Sequence, residues 1–149
     1  MSAALLRALR ARIREDIPLA PHLGARVVGR QGGDLVLSAP LKPNRNHKGT
    51  AFAGSLNALA TLAGWGTVWL LTRERGLEAH VVIQDSTVHY DRPVRGAFEA
   101  RCVHPSAAAA DRLVEMVGRR GRGRIELDVA VSDAQGPAVR FRGRYVVIG

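Results

Sequence analysis

The spacing of apolar positions divides the chain into segments of two kinds. Leu5, Leu6, Leu9 and Ile13 recur at helical spacing, which predicts a helix over residues 3–16, ended by Pro18 and Pro21. Two short apolar runs, 25–30 and 35–39, flank Gln31-Gly32-Gly33-Asp34 and read as a β-hairpin. Two prolines, two asparagines and a glycine leave residues 40–49 as a loop. Residues 80–92, 97–104, 124–132 and 139–148 are β-branched and alternating, with turn signals at Arg92-Pro93, Ser132-Asp133 and Gly136-Pro137. Between the second and third of these lies a predicted helix over 106–120. Ser106 caps it, and Leu113, Val114 and Val117 form its apolar face.

One segment fits neither period. Residues 50–72, TAFAGSLNALATLAGWGTVWLLT, carry no charge and are long enough to cross a bilayer. Thr50, Ser55, Asn57, Thr61 and the glycines interrupt the segment and make it poor material for a lone span. A helix that is apolar on every side can instead be enclosed by the core. About six strands then need one face covered. A strongly curved antiparallel sheet wrapped around that helix satisfies both demands, an α+β fold in one domain over residues 1–149.

Composition narrows the class of protein. The 149 residues carry a net charge of +9, from 22 Lys and Arg against 13 Asp and Glu. Such a surface attracts phosphates, on nucleic acid, on anionic lipid or on a cofactor such as CoA, although an arginine-rich composition also arises without any partner. No RNP-type aromatic strand or recognition-helix motif accompanies the charge, so nucleic acid is not expected. Cys102 stands alone, which excludes an intrachain disulfide and suits a reducing, cytoplasmic setting. The arginines at 7, 10, 12 and 14 make the first residues an amphipathic helix rather than a signal peptide. His80, His89 and His104 lack metal-ligand spacing, so no metal is expected.

The stretch N-R-N-H-K-G-T-A-F-A-G-S-L-N-A-L-A-T-L-A-G-W-G, residues 44–66, resembles the entry into the central helix of hotdog-fold thioesterases. More narrowly it is similar to the putative thioesterase domain of the YiiD C-terminal type. V-V-I-Q-D-S-T-V-H-Y-D-R-P-V-R-G, residues 81–96, resembles the strand and turn that follow, and F-R-G-R-Y-V-V, residues 141–147, the closing strand. The resemblance implies a hotdog fold. It also implies a homodimer, or a dimer of dimers, whose sheets join edge to edge with active sites at the subunit interface. The implied substrate is a small-molecule acyl thioester of CoA or phosphopantetheine, with no cofactor besides.

Thioester hydrolysis needs a polarised carbonyl, an activated water and a groove for the pantetheine arm. A helix starting near Gly49, Thr50, Phe52 and Ala53 offers free N–H groups and the positive end of its dipole as an oxyanion hole, with Gly49 and Gly54 allowing close approach. Those glycines can equally serve packing alone. Hotdog thioesterases commonly carry Asp or Glu about two turns into this helix; here Thr61 takes that place. Asn57 lies one turn earlier, on a stripe running Thr50, Gly54, Asn57, Thr61, Gly64. Neither side chain is a base. The His of the common His-Gly-Gly entry is replaced by Phe52.

Asp85 is the carboxylate candidate for activating water, with Asn57 or Asn46 orienting it. By alternation Val82, Val88 and Tyr90 face the helix while Asp85 and Thr87 face away, unless a bulge changes the parity. An exposed, ion-paired Asp85 is the competing reading. Ser55 and Ser86 are nucleophile or contact candidates without a His–Asp relay, and His47 in the entry loop can touch substrate. Arg119, Arg120 and Arg122, with Arg124, suit CoA phosphates or simply a solvated turn. Without a helix carboxylate, a non-catalytic acyl-thioester-binding or regulatory protein remains the alternative. Trp65 and Trp69 are expected in the core.

Overall fold

A computed structural model describes residues 3–149. Its elements are α1 (Ala3–Asp16), α2 (Leu19–Leu23), β1 (Arg26–Gln31), β2 (Asp34–Ala39), a 3-10 turn (Lys42–Asn44), α3 (Ala53–Glu74), β3 (His80–Tyr90), β4 (Phe98–Cys102), α4 (Ala107–Arg120), β5 (Arg122–Asp133) and β6 (Gly136–Ile148). The six strands form one sheet in the order β1-β2-β4-β5-β6-β3, and every neighbouring pair is antiparallel. The sheet wraps α3, so the fold is the hotdog arrangement.

The even apolarity of α3 has its cause in that wrapping. Thirteen of its 22 residues are buried, because strands β2 to β6 press on several sides and α1 covers another. Its buried hydroxyls are satisfied locally: Thr67 Oγ1 donates to Ala63 O at 2.9 Å, and Thr72 Oγ1 to Trp69 O at 2.8 Å. Among the described residues no helix is long and apolar enough to cross a membrane. At Gly64 a Cβ would lie 2.1 Å from Tyr145 Oη. The Tyr145 ring is fully buried and its Oη is tied to Thr61 O at 2.7 Å, so the ring is not free to retreat. Gly64→Ala is therefore expected to destabilise the fold by about 3 kcal/mol through overpacking. Thermal denaturation followed by circular dichroism should show a midpoint about 6–12 °C lower, given the chain length.

Two expectations are corrected here and one is narrowed. Pro21 does not merely end the first helix but sits in the first turn of α2, where a missing N–H costs nothing, behind Pro18 as N-cap. Central helix α3 begins at Ala53, at the far end of the expected start over Gly49–Ala53. Val82 does not face α3 and is 48% exposed. A bulge between Ile83 and Asp85 inverts the parity along β3. Val81 and Ile83 point inward before it, and Val88 and Tyr90 after it.

The two outer strands end the sheet differently. Arg10 of α1 donates Nε and Nη2 to Val27 O of β1, at 3.2 and 3.1 Å, and so blocks that edge. The outer edge of the eleven-residue β3 meets no other strand among the described residues. A third feature pins the β3–β4 connection. Arg92 binds the Asp133 carboxylate through both nitrogens, at 3.0 and 2.6 Å, and also contacts Gly136 O. The Arg92 guanidinium holds the Asp133 carboxyl far below the ordinary carboxylate range despite its burial. A depressed folded-state pKa gives stability that is complete above the unfolded value, about 3.9, and is lost as the pH falls further. Asp133→Asn should thus flatten the acid side of a plot of Tm against pH.

Candidate active site

The site begins in the loop before α3. Asn44 is buried and donates Nδ2 to Leu23 O and Pro40 O, both at 2.8 Å, while its carbonyl accepts from Phe52 N at 2.7 Å. Asn46 ties the next turn: Oδ1 accepts from Lys48 N at 2.9 Å and Thr50 N at 3.1 Å, and Nδ2 donates to Thr50 Oγ1 at 2.8 Å. Gly49 closes that turn at φ 78°, a region glycine enters without strain. Asn46, Gly49 and Thr50 are thereby a unit that sets the entry angle of the chain. His47, at the tip, is exposed.

Phe52 is the N-cap of α3, extended at φ −65° and ψ 133°, and it offers no side-chain acceptor to the helix. The amides of Ser55 and Leu56 both reach Phe52 O, at 3.0 and 3.2 Å, but those of Ala53 and Gly54 have no acceptor among the described residues. Both residues are exposed, and Tyr90 Oη donates to Ala53 O at 3.3 Å. Two free amides at the positive end of a 22-residue helix can donate hydrogen bonds to an anionic oxygen.

A groove of about 350 Å³ leads away from this terminus. Its floor is the α3 stripe Gly54, Asn57, Ala58, Thr61, Leu62 and Trp65; Ile17 and Leu19 form one wall, Ile83 and Tyr145 the other. The structure thus unites Gly54, Asn57 and Thr61. Thr61 Oγ1 donates to Asn57 O at 2.8 Å and also contacts Asn57 Oδ1 at 3.4 Å, which leaves Asn57 Nδ2 to meet a ligand. Tyr145 Oη donates to Thr61 O at 2.7 Å. Burial raises the Tyr145 phenol far above its ordinary value, so it stays a donor. Ser55 is half-buried in the first turn of α3, outside the groove lining.

The remaining candidates lie elsewhere. Asp85 faces away from α3, opposite Arg144 in the register, and its Oδ2 meets Arg144 Nη1 at 3.4 Å. Ser86 pairs with Gly143 on the helix-facing side of β3 and is exposed. No carboxylate lines the groove, among the described residues. Arg120, Arg122 and Arg124 line a second groove, of about 580 Å³, on the outer side of β3 beside Val82, Gln84, Met116 and Ile148. Arg119 instead pairs with Glu115 at 3.1 Å. Burial pushes the Cys102 thiol up to about 12, which makes it inert as a nucleophile.

Sequence reasoning missed Ile17, Leu19, Trp65, Ile83 and Tyr145 as groove residues. Trp65 carried a usable signal, since it continues the Asn57–Thr61 stripe by one turn. The others come from segments distant in sequence, and no local pattern announces them.

Comparison with known proteins completes the picture. The model of the family described as "Putative thioesterase (yiiD_Cterm)" matches residues 6–149. A protein of unknown function from Chlorobaculum tepidum TLS is 30% identical over 95% of this chain and 93% of its own, with a TM-score of 0.91. A putative thioesterase from Shewanella oneidensis is 30% identical over 99% of this chain and 100% of its own, with a TM-score of 0.88. The PaaI protein from the phenylacetic acid degradation operon of E. coli shares the fold at 17% identity, over 99% of this chain and 96% of its own, with a TM-score of 0.71.

Proposed function

This chain belongs to the putative thioesterase family of the YiiD C-terminal type, and from that premise we propose that it hydrolyses acyl thioesters of CoA or of an acyl carrier protein. One observation carries the reading: the unpartnered amides of Ala53 and Gly54 stand at the head of a groove with apolar walls. A thioester oxygen placed there gains hydrogen bonds as charge develops on it. Asn57, one turn inside, orients a water against the carbonyl carbon. Its oxygen adds to that carbon, its proton passes to a carboxylate, and the tetrahedral oxyanion collapses to acid and thiolate. The thioester is the substrate, and no cofactor enters.

The active assembly is a homodimer joined through β3, the edge that Arg10 does not block. Antiparallel pairing of two β3 strands sets the Val82 end of one beside the Tyr90 end of the other. The groove lined by Arg120, Arg122 and Arg124 in one copy then lies near the α3 terminus of its partner, where guanidinium groups suit the phosphates of CoA. Asp85, the one acid on β3, is the carboxylate supplied across that boundary. A lone buried cysteine fits a reducing, cytoplasmic setting.

The acid-free groove favours a second reading, a binder of acyl thioesters without turnover. Thiol release over a panel of acyl-CoA and acyl-carrier-protein substrates, with sedimentation to fix the assembly, separates the two. Turnover by a dimer is expected. Tight binding of thioether analogues with no release from any thioester would put the binder in place of the hydrolase.

A further inference from the structure

Where the groove stops is set by one side chain. Trp65 lies at the far end of its floor, eleven residues along α3 from Gly54, and is half-buried. Its indole Nε1 donates to Val81 O at 2.9 Å, so the ring bridges the helix to the edge strand and closes the gap between them. Trp69 is buried behind it, its ring centroid 6.4 Å away at an interplanar angle of 27°. The Arg73 guanidinium caps the stack, 4.8 Å from the Trp69 ring centre. Trp69 and Arg73 do not line the groove. A rotamer tied at one end and backed by two stacked groups does not swing aside for a ligand.

Resting on the thioester reading above, we propose that Trp65 is the specificity-determining residue that limits acyl length, the terminal methyl abutting its indole. Eleven residues of helix span about 16 Å. An extended chain advances about 1.2 Å per bond, which places the limit at about a dozen carbons. Up to that length each added methylene buried between Ala58, Leu62 and Ile83 strengthens binding about fourfold. Beyond it the gain ends, because the next methylene meets a fixed ring.

The test measures binding of S-alkyl-CoA thioethers of increasing chain length by calorimetry, in parallel with thiol release from the matching thioesters. Wild-type affinity should climb with length and then break. Trp65→Ala should move the break by about five carbons, since Trp69 stands 6.4 Å further on and each bond covers about 1.2 Å. Trp65→Phe keeps an aromatic body, loses the bond to Val81 and should move the break less. It also serves where the alanine variant unfolds, as checked by circular dichroism. An unchanged break in a folded variant overturns the proposal, and so does a wild type whose affinity has no break or does not respond to length. If the break shifts but no thioester is ever cleaved, the limit at Trp65 stands and the hydrolase reading falls.

Discussion

Ala53→Pro is expected to lower kcat for thiol release by about 10²–10³, the loss usual for one oxyanion donor, with folding unchanged. The position makes this an unusually clean change. Ala53 is the first residue of α3, and its amide bonds to nothing among the described residues, so proline removes a donor the helix does not use. Proline also constrains its predecessor to extended backbone, which Phe52 already adopts at ψ 133°. The carbonyl that accepts from Tyr90 is retained. Substituting Gly54 would be a poorer probe. An alanine there keeps the amide and sets a Cβ 2.5 Å from the Phe52 ring, so any loss would mix catalysis with repacking. Steady-state kinetics should show the effect in kcat more than in KM, because the bond strengthens only as the oxygen becomes anionic. Wild-type turnover from a folded Ala53→Pro variant would remove this amide from the mechanism and leave Gly54 alone.

That first residue of α3 also marks how far sequence reading reached. The helix itself was legible, because an uncharged run over 50–72 has no stable place except a core or a bilayer, and the alternating strands around it chose the core. Its start was legible only as a range, Gly49–Ala53, and Asn46 sets it at the far end: the amide side chain takes the Thr50 N–H and hydroxyl and holds residues 46–50 in a turn. Helix α4 was legible down to its cap, Ser106, whose Oγ accepts from Ala109 N at 3.1 Å. Along β3 alternation placed Val88, Tyr90, Asp85 and Thr87 but misplaced Val82, since a single extra residue at the bulge is silent in composition. The stripe Gly54, Asn57, Thr61 emerged from the family resemblance, which placed Thr61, together with helical spacing. Trp65 did not, because a tryptophan in an apolar run reads as core. Its exposure on the groove side depends on where β3 passes, a long-range fact. The walls at Ile17, Leu19 and Tyr145 depend on the same packing.

Asp85→Asn should abolish turnover, by about 10²–10⁴ if its carboxylate is the general base, and leave the protein folded. The structure makes the folding half secure. Asp85 is more than half exposed, and its ion pair with Arg144 is of the surface kind that contributes little to stability. Arg144 does not lose its only partner, since its Nη2 also meets Glu126 Oε1 at 3.3 Å. Asparagine is close in shape and cannot take a proton at neutral pH. The catalytic half rests on the assembly. Within one copy Asp85 faces outward and does not reach the groove, so a base at this position acts only across the β3 boundary. Mixing separately inactive Ala53→Pro and Asp85→Asn chains should then restore activity in the heterodimer, where one of the two sites receives an intact amide from one copy and an intact carboxylate from the other. Wild-type rates in Asp85→Asn would withdraw the carboxylate altogether, and a mixture that stays inactive would place both groups in the same copy.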